Sequence, residues 1–192
     1  MRKKRLAVFA SGNGSNAENI IRYFQADDRN AEVALVVCNK SDAKVLERAE
    51  KLGVPAIVVP RRDFNNEDFM TGLLHDNGID FIVLAGFLLM IPDFLIKLYP
   101  EKIVNIHPSL LPKYGGKGMY GSHVHEAVVA AGEKESGITI HMVDENCDGG
   151  RIIFQANVPV TPEDTPDDVA AKVHALEYEH FPQVIEKTLD SI

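Results

Sequence analysis

Asn105 and His107 stand two residues apart at the end of the apolar run Ile103-Val104-Asn105-Ile106-His107, so a strand here carries both side chains on one face. A carboxamide and a titratable imidazole side by side can donate hydrogen bonds to an oxygen that becomes negative during a reaction, which points to acyl-type chemistry. A lone histidine in this place also fits a half-buried imidazole satisfied by backbone. Pro108 and Pro112 favour the chemical reading, because they fix the backbone directly after the pair and turn the chain out of the strand in a defined direction.

A carboxylate would complete such a pair. Asp148 begins Asp148-Gly149-Gly150, and two glycines let the backbone approach closely. The expected sheet brings this turn to the same edge as Asn105 and His107. A carboxylate within about 4–6 Å of an imidazole favours the charged ring, which is the better oxyanion donor. Asp-Gly is equally a hairpin turn signal, and Asp144, at a strand end, is the second choice for the carboxylate, because that position also suits a cap or surface charge.

Ser11-Gly12-Asn13-Gly14-Ser15-Asn16 follows the first apolar run and opens a helical pattern. Backbone amides and the positive helix end converge there, as in a phosphate cradle. Gly12-x-Gly14-x-x-Ala17 loosely fits the dinucleotide fingerprint. Its second half fails, because Asn39 and Lys40 stand where a ribose-binding acidic residue belongs. A phosphomonoester is therefore expected rather than NAD, with a ligand-free tight turn as the alternative.

The elements that must position these groups alternate along the chain. Strands are expected at residues 6–10, 33–38, 54–59, 81–85 and up to 106, and helices at 15–25, 66–76 and 92–99. Ser41 or Asp42 is the expected cap of a further helix running to Leu52, and Ser122 that of one to about Ala131. Ala17, Ile20, Ile21 and Phe24 share one face of the first helix. Residues 138–143 and 152–158 read as an antiparallel hairpin, and Thr165-Pro166-Asp167-Asp168 opens a final capped helix. Repeated βα units imply an α/β fold: a mostly parallel twisted sheet flanked by helices, with a C-terminal antiparallel hairpin and ligands at the carboxyl ends of the strands.

With 192 residues, one domain is the expectation, its N-terminal half binding phosphate and its C-terminal half carrying the catalytic groups. Acidic residues number 28 against 20 basic ones, for a formal charge of -8, which argues against a nonspecific nucleic-acid binder. Arg2-Lys3-Lys4-Arg5 reads as a solvated lead-in to the first strand. No apolar run reaches membrane-spanning length and no signal-peptide pattern opens the chain, so a cytoplasmic protein is expected. Cys38 and Cys147 suggest neither a disulfide framework nor a zinc site. His123 and His125 diverge on a helix, so no metal is expected.

The loop Ser11 to Asn16, the segment Asn105-Ile106-His107-Pro108-Ser109-Leu110-Leu111-Pro112, and Gly137-Ile138-Thr139-Ile140-His141 leading to Asp148-Gly149-Gly150 together resemble the folate-dependent phosphoribosylglycinamide formyltransferases, across nearly the whole chain. The resemblance implies a Rossmann-like formyltransferase fold, with Asn105, His107 and Asp148 as catalytic residues. It implies that Gly14, Ser15 and Asn16 bind the substrate phosphate, that Gly12 and Asn13 also belong to the substrate site, and that Glu177 holds the ribose hydroxyls. Leu88, Leu89, Met90 and Ile91, with Asn105, would form the folate site, in the C-terminal half of the division above. The formyl donor would be 10-formyltetrahydrofolate, without a metal, and the other partner a small-molecule amine in purine synthesis. Neither nucleic acid nor membrane is implied, and a monomer or weak homodimer is expected. Leu89 and Asn66 stand where the family often has arginines, and residues 113–121 are longer and richer in glycine than its usual pattern.

Among neighbouring readings, formyltetrahydrofolate hydrolase uses a similar trio but normally carries an extra N-terminal regulatory domain, and methionyl-tRNA formyltransferase needs a tRNA-binding domain. A noncatalytic nucleotide-binding module would leave Asn105, His107 and Asp148 without a purpose.

Overall fold

A computed structural model describes residues 2–192. The elements run β1 (Lys4–Phe9), α1 (Ser15–Phe24), β2 (Ala31–Cys38), α2 (Lys44–Lys51), β3 (Ala56–Val58), α3 (Arg61–Phe64), α4 (Glu67–Asp76), β4 (Phe81–Leu84), α5 (Asp93–Leu98), β5 (Ile103–His107), α6 (Ser122–Ala130), β6 (Glu135–Met142), β7 (Ile152–Pro159) and α7 (Pro166–Asp190). The strands are hydrogen-bonded in the order β3-β2-β1-β4-β5-β6-β7. Among the described residues no helix is long and apolar enough to cross a membrane.

The chain divides into two compact units at the Val104–Asn105 bond, within β5; the first extends to Val104 and takes in Leu189–Ile192, and the second is Asn105–Thr188. In the first unit β1 pairs in parallel with both β2 and β4, and β2 in parallel with β3. Leu6, Ala7, Val8 and Phe9 are fully buried, as is nearly all of β4. These strands read as unbroken apolar runs because both of their faces are covered. The helix α1 buries Ala17, Ile20, Ile21 and Phe24, the face set by its sequence periodicity.

In the second unit β6 and β7 are antiparallel, with Ile138 opposite Ala156 and Ile140 opposite Phe154. All of β6 after Glu135 is buried, whereas β7 alternates between half-buried and exposed positions.

Two expected caps are corrected. The residue before α2 is Ala43, with no side chain capping it, and α6 starts at Ser122 behind Gly121. Residues 41 and 42 belong to a turn instead, closed by the Ala43 amide on the Lys40 carbonyl. Residues 61–64 form the short α3, which the sequence reading did not anticipate. Asn66 caps α4 by accepting a hydrogen bond from the Phe69 amide at 3.0 Å.

The start of α7 is a reciprocal cap: the Asp168 amide donates to Thr165 Oγ1 at 3.2 Å, and the Thr165 amide donates to Asp168 Oδ2 at 2.9 Å. Asp168 is held below the usual carboxylate range, chiefly by the Thr165 hydroxyl. Thr165→Ala is expected to cost about 1 kcal/mol. In urea titration it should lower the unfolding midpoint with an unchanged slope; an unshifted midpoint would contradict this account of the helix start.

Candidate active site

The second unit opens with the Asn-x-His pair. Alternation on β5 sends Asn105 and His107 to one face, and His107 is 4% exposed. The chain then leaves the strand along a path fixed by polar side chains, of which Ser109 and Thr139 are buried. Thr139 Oγ1 donates to the Ser109 carbonyl at 2.7 Å and accepts from the Leu111 amide at 3.0 Å. Gln155 Nε2 donates to the Leu111 carbonyl at 3.1 Å and to Thr139 Oγ1 at 2.8 Å. Ser109 Oγ donates to the Lys113 carbonyl at 2.6 Å.

This path delivers Tyr114 to the imidazole. His107 Nε2–H donates to the Tyr114 carbonyl at 2.7 Å, while Nδ1 lies 3.5 Å from Asp148 Oδ2. Both ring nitrogens thus face oxygen atoms of the protein. Tyr114 has φ 54, in the left-handed region, and its hydroxyl is tied to Glu133 at 2.9 Å. Non-glycine residues in this conformation cluster at functional sites.

Asp148 also has φ 54. An aspartate tolerates that conformation better than most residues. The chain turns back immediately after it, where a Cβ on Gly150 would collide with the Met142 carbonyl oxygen. The Gly116 amide donates to Asp148 Oδ2 at 2.9 Å. His141 Nε2 lies 3.7 Å from Oδ1, beyond hydrogen-bond reach. Burial alone would raise this carboxyl; the facing His141, the Gly116 amide and the charge of His107 outweigh it and hold the group below its ordinary range. Asp144 serves a different end, accepting from the Asn146 amide at 2.8 Å within the turn.

The sequence reading assigned His141 no role. Its Nδ1–H donates to the Met142 carbonyl at 2.9 Å, leaving Nε2 to accept from Asn105 Nδ2 at 3.1 Å. It therefore orients the carboxamide beside the catalytic candidate. The signal was available: Thr139 and His141 are polar residues two apart on an otherwise apolar strand, and both prove buried.

Glu177, on α7, has a 13% exposed side chain and pairs with His174 Nδ1 at 3.2 Å; that pairing raises the pKa of His174. Glu177 and His107 both act electrostatically on His125, whose ring burial keeps it less basic than usual. His123 is exposed beside Glu126 while His125 is buried, so the two histidines diverge as expected on a helix.

The glycine loop belongs to the first unit. Gly14 precedes α1 with φ 75, and no side chain caps that helix. A Cβ on Gly14 would lie 2.5 Å from Val45 Cβ, so only glycine fits. Ser11 Oγ donates to Asn39 Oδ1 at 2.6 Å and accepts from the Leu88 amide at 2.9 Å. Asn39, found where a dinucleotide site would have an acidic residue, thus secures the loop. Residues 88–91 follow β4 within the first unit, outside any helix or strand. Leu88 and Met90 are 47% and 57% exposed.

In sequence and in fold the chain is similar to known proteins. A sequence model of the Formyl transferase family matches residues 4–185. The chloroplastic phosphoribosylglycinamide formyltransferase of Arabidopsis thaliana is 41% identical over 189 residues, which are 96% of this chain and 65% of that protein. The chain thus spans just under two thirds of that relative. The phosphoribosylglycinamide formyltransferase of Bacillus subtilis is 39% identical, with 97% of this chain and 95% of that protein covered. The crystal structure of glycinamide ribonucleotide transformylase 1 from Geobacillus kaustophilus matches with a TM-score of 0.88 at 39% identity, covering 97% of this chain and 98% of that one.

The ionised form of Asp148 is favoured by the fold. Its stabilising contribution is complete above the unfolded value of about 3.9 and is lost as pH falls through the lower folded value. The stability difference between the parent and Asp148→Asn, followed by urea unfolding, should therefore shrink from pH 7 to pH 3. A difference independent of pH would contradict this assignment.

Proposed function

Because the chain belongs to the formyl transferase family, we propose that it transfers a formyl group from 10-formyltetrahydrofolate to the amine of N1-(5-phospho-D-ribosyl)glycinamide, a step of purine biosynthesis. The observation that carries the reading is the meeting of Asn105, His107 and Asp148 around one imidazole-centred cluster, in a chain whose relatives are named for this reaction.

The acceptor amine attacks the formyl carbon and the carbonyl oxygen takes up the negative charge. Asn105 Nδ2 and His107 Nε2 donate to that oxygen, the latter exchanging its bond to the Tyr114 carbonyl for one to the substrate. Asp148 keeps the imidazole oriented through Nδ1 and supports its positive charge. On collapse the C=O bond re-forms, the bond from carbon to N10 breaks, and the proton lost by the amine passes to N10. Donors aimed at such an oxygen contribute about 3–4 kcal/mol each.

Gly12, Asn13, Gly14, Ser15 and Asn16 hold the substrate phosphate through backbone amides and the α1 dipole. Asn13 contributes its main chain, since its side chain accepts from Arg48 at 3.1 Å. Glu177 accepts from the ribose hydroxyls. Leu88, Leu89, Met90 and Ile91 are folate-binding residues, as is Asn105. The exposed Leu88 and Met90 side chains suit a flat heterocycle. Asn66, where the family often has arginine, serves as a helix cap. Both substrates are small molecules.

The test is incubation with 10-formyltetrahydrofolate in the presence and absence of the ribonucleotide amine. Transfer that requires the amine is expected; formate release without it would support the hydrolase instead, and no reaction would refute both. His107→Ala should lower kcat by about 10²-fold or more with a much smaller change in KM. Near-parental turnover of purified His107→Ala would remove the imidazole from the mechanism.

A further inference from the structure

Arg48 extends from α2 and makes three contacts, two with the glycine loop and one with α1. Nε–H donates to the Asn13 carbonyl at 2.7 Å, one terminal nitrogen donates to Asn13 Oδ1 at 3.1 Å, and the other pairs with Glu18. Val45, three residues earlier and so on the same helical face, donates its amide to the Gly12 carbonyl at 3.2 Å and packs where a Cβ on Gly14 would lie. All of these residues belong to the first unit.

The trans peptide is planar, with C=O and N–H pointing in opposite directions. Fixing the Gly12 carbonyl on Val45 therefore aims the Asn13 amide away from α2. Fixing the Asn13 carbonyl on Arg48 likewise aims the Gly14 amide away from α2. Two successive amides are thereby turned to one side at the start of α1, the arrangement that receives an anion.

Glu18 would oppose that anion. It lies in the first turn of α1, where its charge would repel a phosphate at the helix start. Arg22 binds Oε1 at 2.8 Å and Arg48 binds Oε2, and these two side chains hold the carboxyl below its ordinary range.

We propose that Arg48 is a positioning residue for the phosphate cradle: it orients the Gly14 amide and neutralises Glu18, without itself touching the phosphate. This rests on the reading that residues 12–16 hold the substrate phosphate. A lysine cannot reproduce it, because a single ammonium lacks the fork that reaches one carbonyl, one amide oxygen and one carboxylate together.

Two experiments on the full chain test the proposal. By calorimetry with ribose 5-phosphate as probe, Arg48→Met should bind about tenfold more weakly than the parent, and Arg48→Lys should fall between them. In steady-state formyl transfer, Arg48→Met should raise KM for the ribonucleotide by a similar factor, leaving kcat and KM for the formyl donor within about twofold. Adding Glu18→Gln to Arg48→Met should recover part of the loss, because the uncovered charge is removed. Unaltered circular dichroism secures the comparison, and if the methionine variant does not fold, the lysine variant carries the test alone. Parental affinity for ribose 5-phosphate in either folded Arg48 variant, or no binding of it by the parent, would overturn the proposal. Absence of formyl transfer in a parent that binds the probe would refute the reaction and leave the Arg48 assignment standing.

Discussion

The ionised Asp148 carboxylate is the charge around which the polar groups of the second unit are ordered. A carboxylate with a 13% exposed side chain stays ionised only if its surroundings supply donors or positive charge. Here the Gly116 amide and the His107 imidazole do so, with the His141 ring facing Oδ1 at 3.7 Å. Each of these is fixed in turn by something else: His107 by the Tyr114 carbonyl, and His141 by the Met142 carbonyl and the Asn105 amide. The same contacts that stabilise the carboxylate therefore set the direction of both candidate oxyanion donors.

Secondary structure brings these groups within reach. Period-two alternation places Asn105 and His107 on one face of β5, and Thr139 and His141 on one face of β6. The left-handed residues Tyr114 and Asp148 store strain in the two segments that meet the imidazole. In the first unit a comparable economy holds. Ser11 links the start of the glycine loop to Asn39 and to Leu88, and α2 fixes its middle. Helix α2 thus acts as a brace for the loop as well as a cover for the sheet.

Much of this was legible in the sequence because it depends on local rules. The apolar runs of β1 and β4, the buried face of α1, the α7 cap and the Asn-x-His spacing all follow from periodicity and chain chemistry. Contacts made by residues distant in the chain were not legible. His141 looked like one polar residue in a strand until Asn105 and Asp148 came beside it. Arg48 carried no signal of its contact with Asn13, which lies 35 positions earlier in the chain. Ser41, Asp42 and Ser122 matched the composition of caps, yet Ala43 and Gly121 took those positions, since composition alone does not say where the first helical turn closes.

The central claim is that the negative charge of Asp148, acting through His107, lowers the barrier to formyl transfer. Single-turnover transfer from 10-formyltetrahydrofolate to the ribonucleotide amine, at saturating concentrations of both, isolates that step in Asp148→Asn. The account predicts a rate reduced by about 10²-fold or more, with affinity for the ribonucleotide close to that of the parent. A folded Asp148→Asn protein that transfers formyl at the parental rate would contradict it.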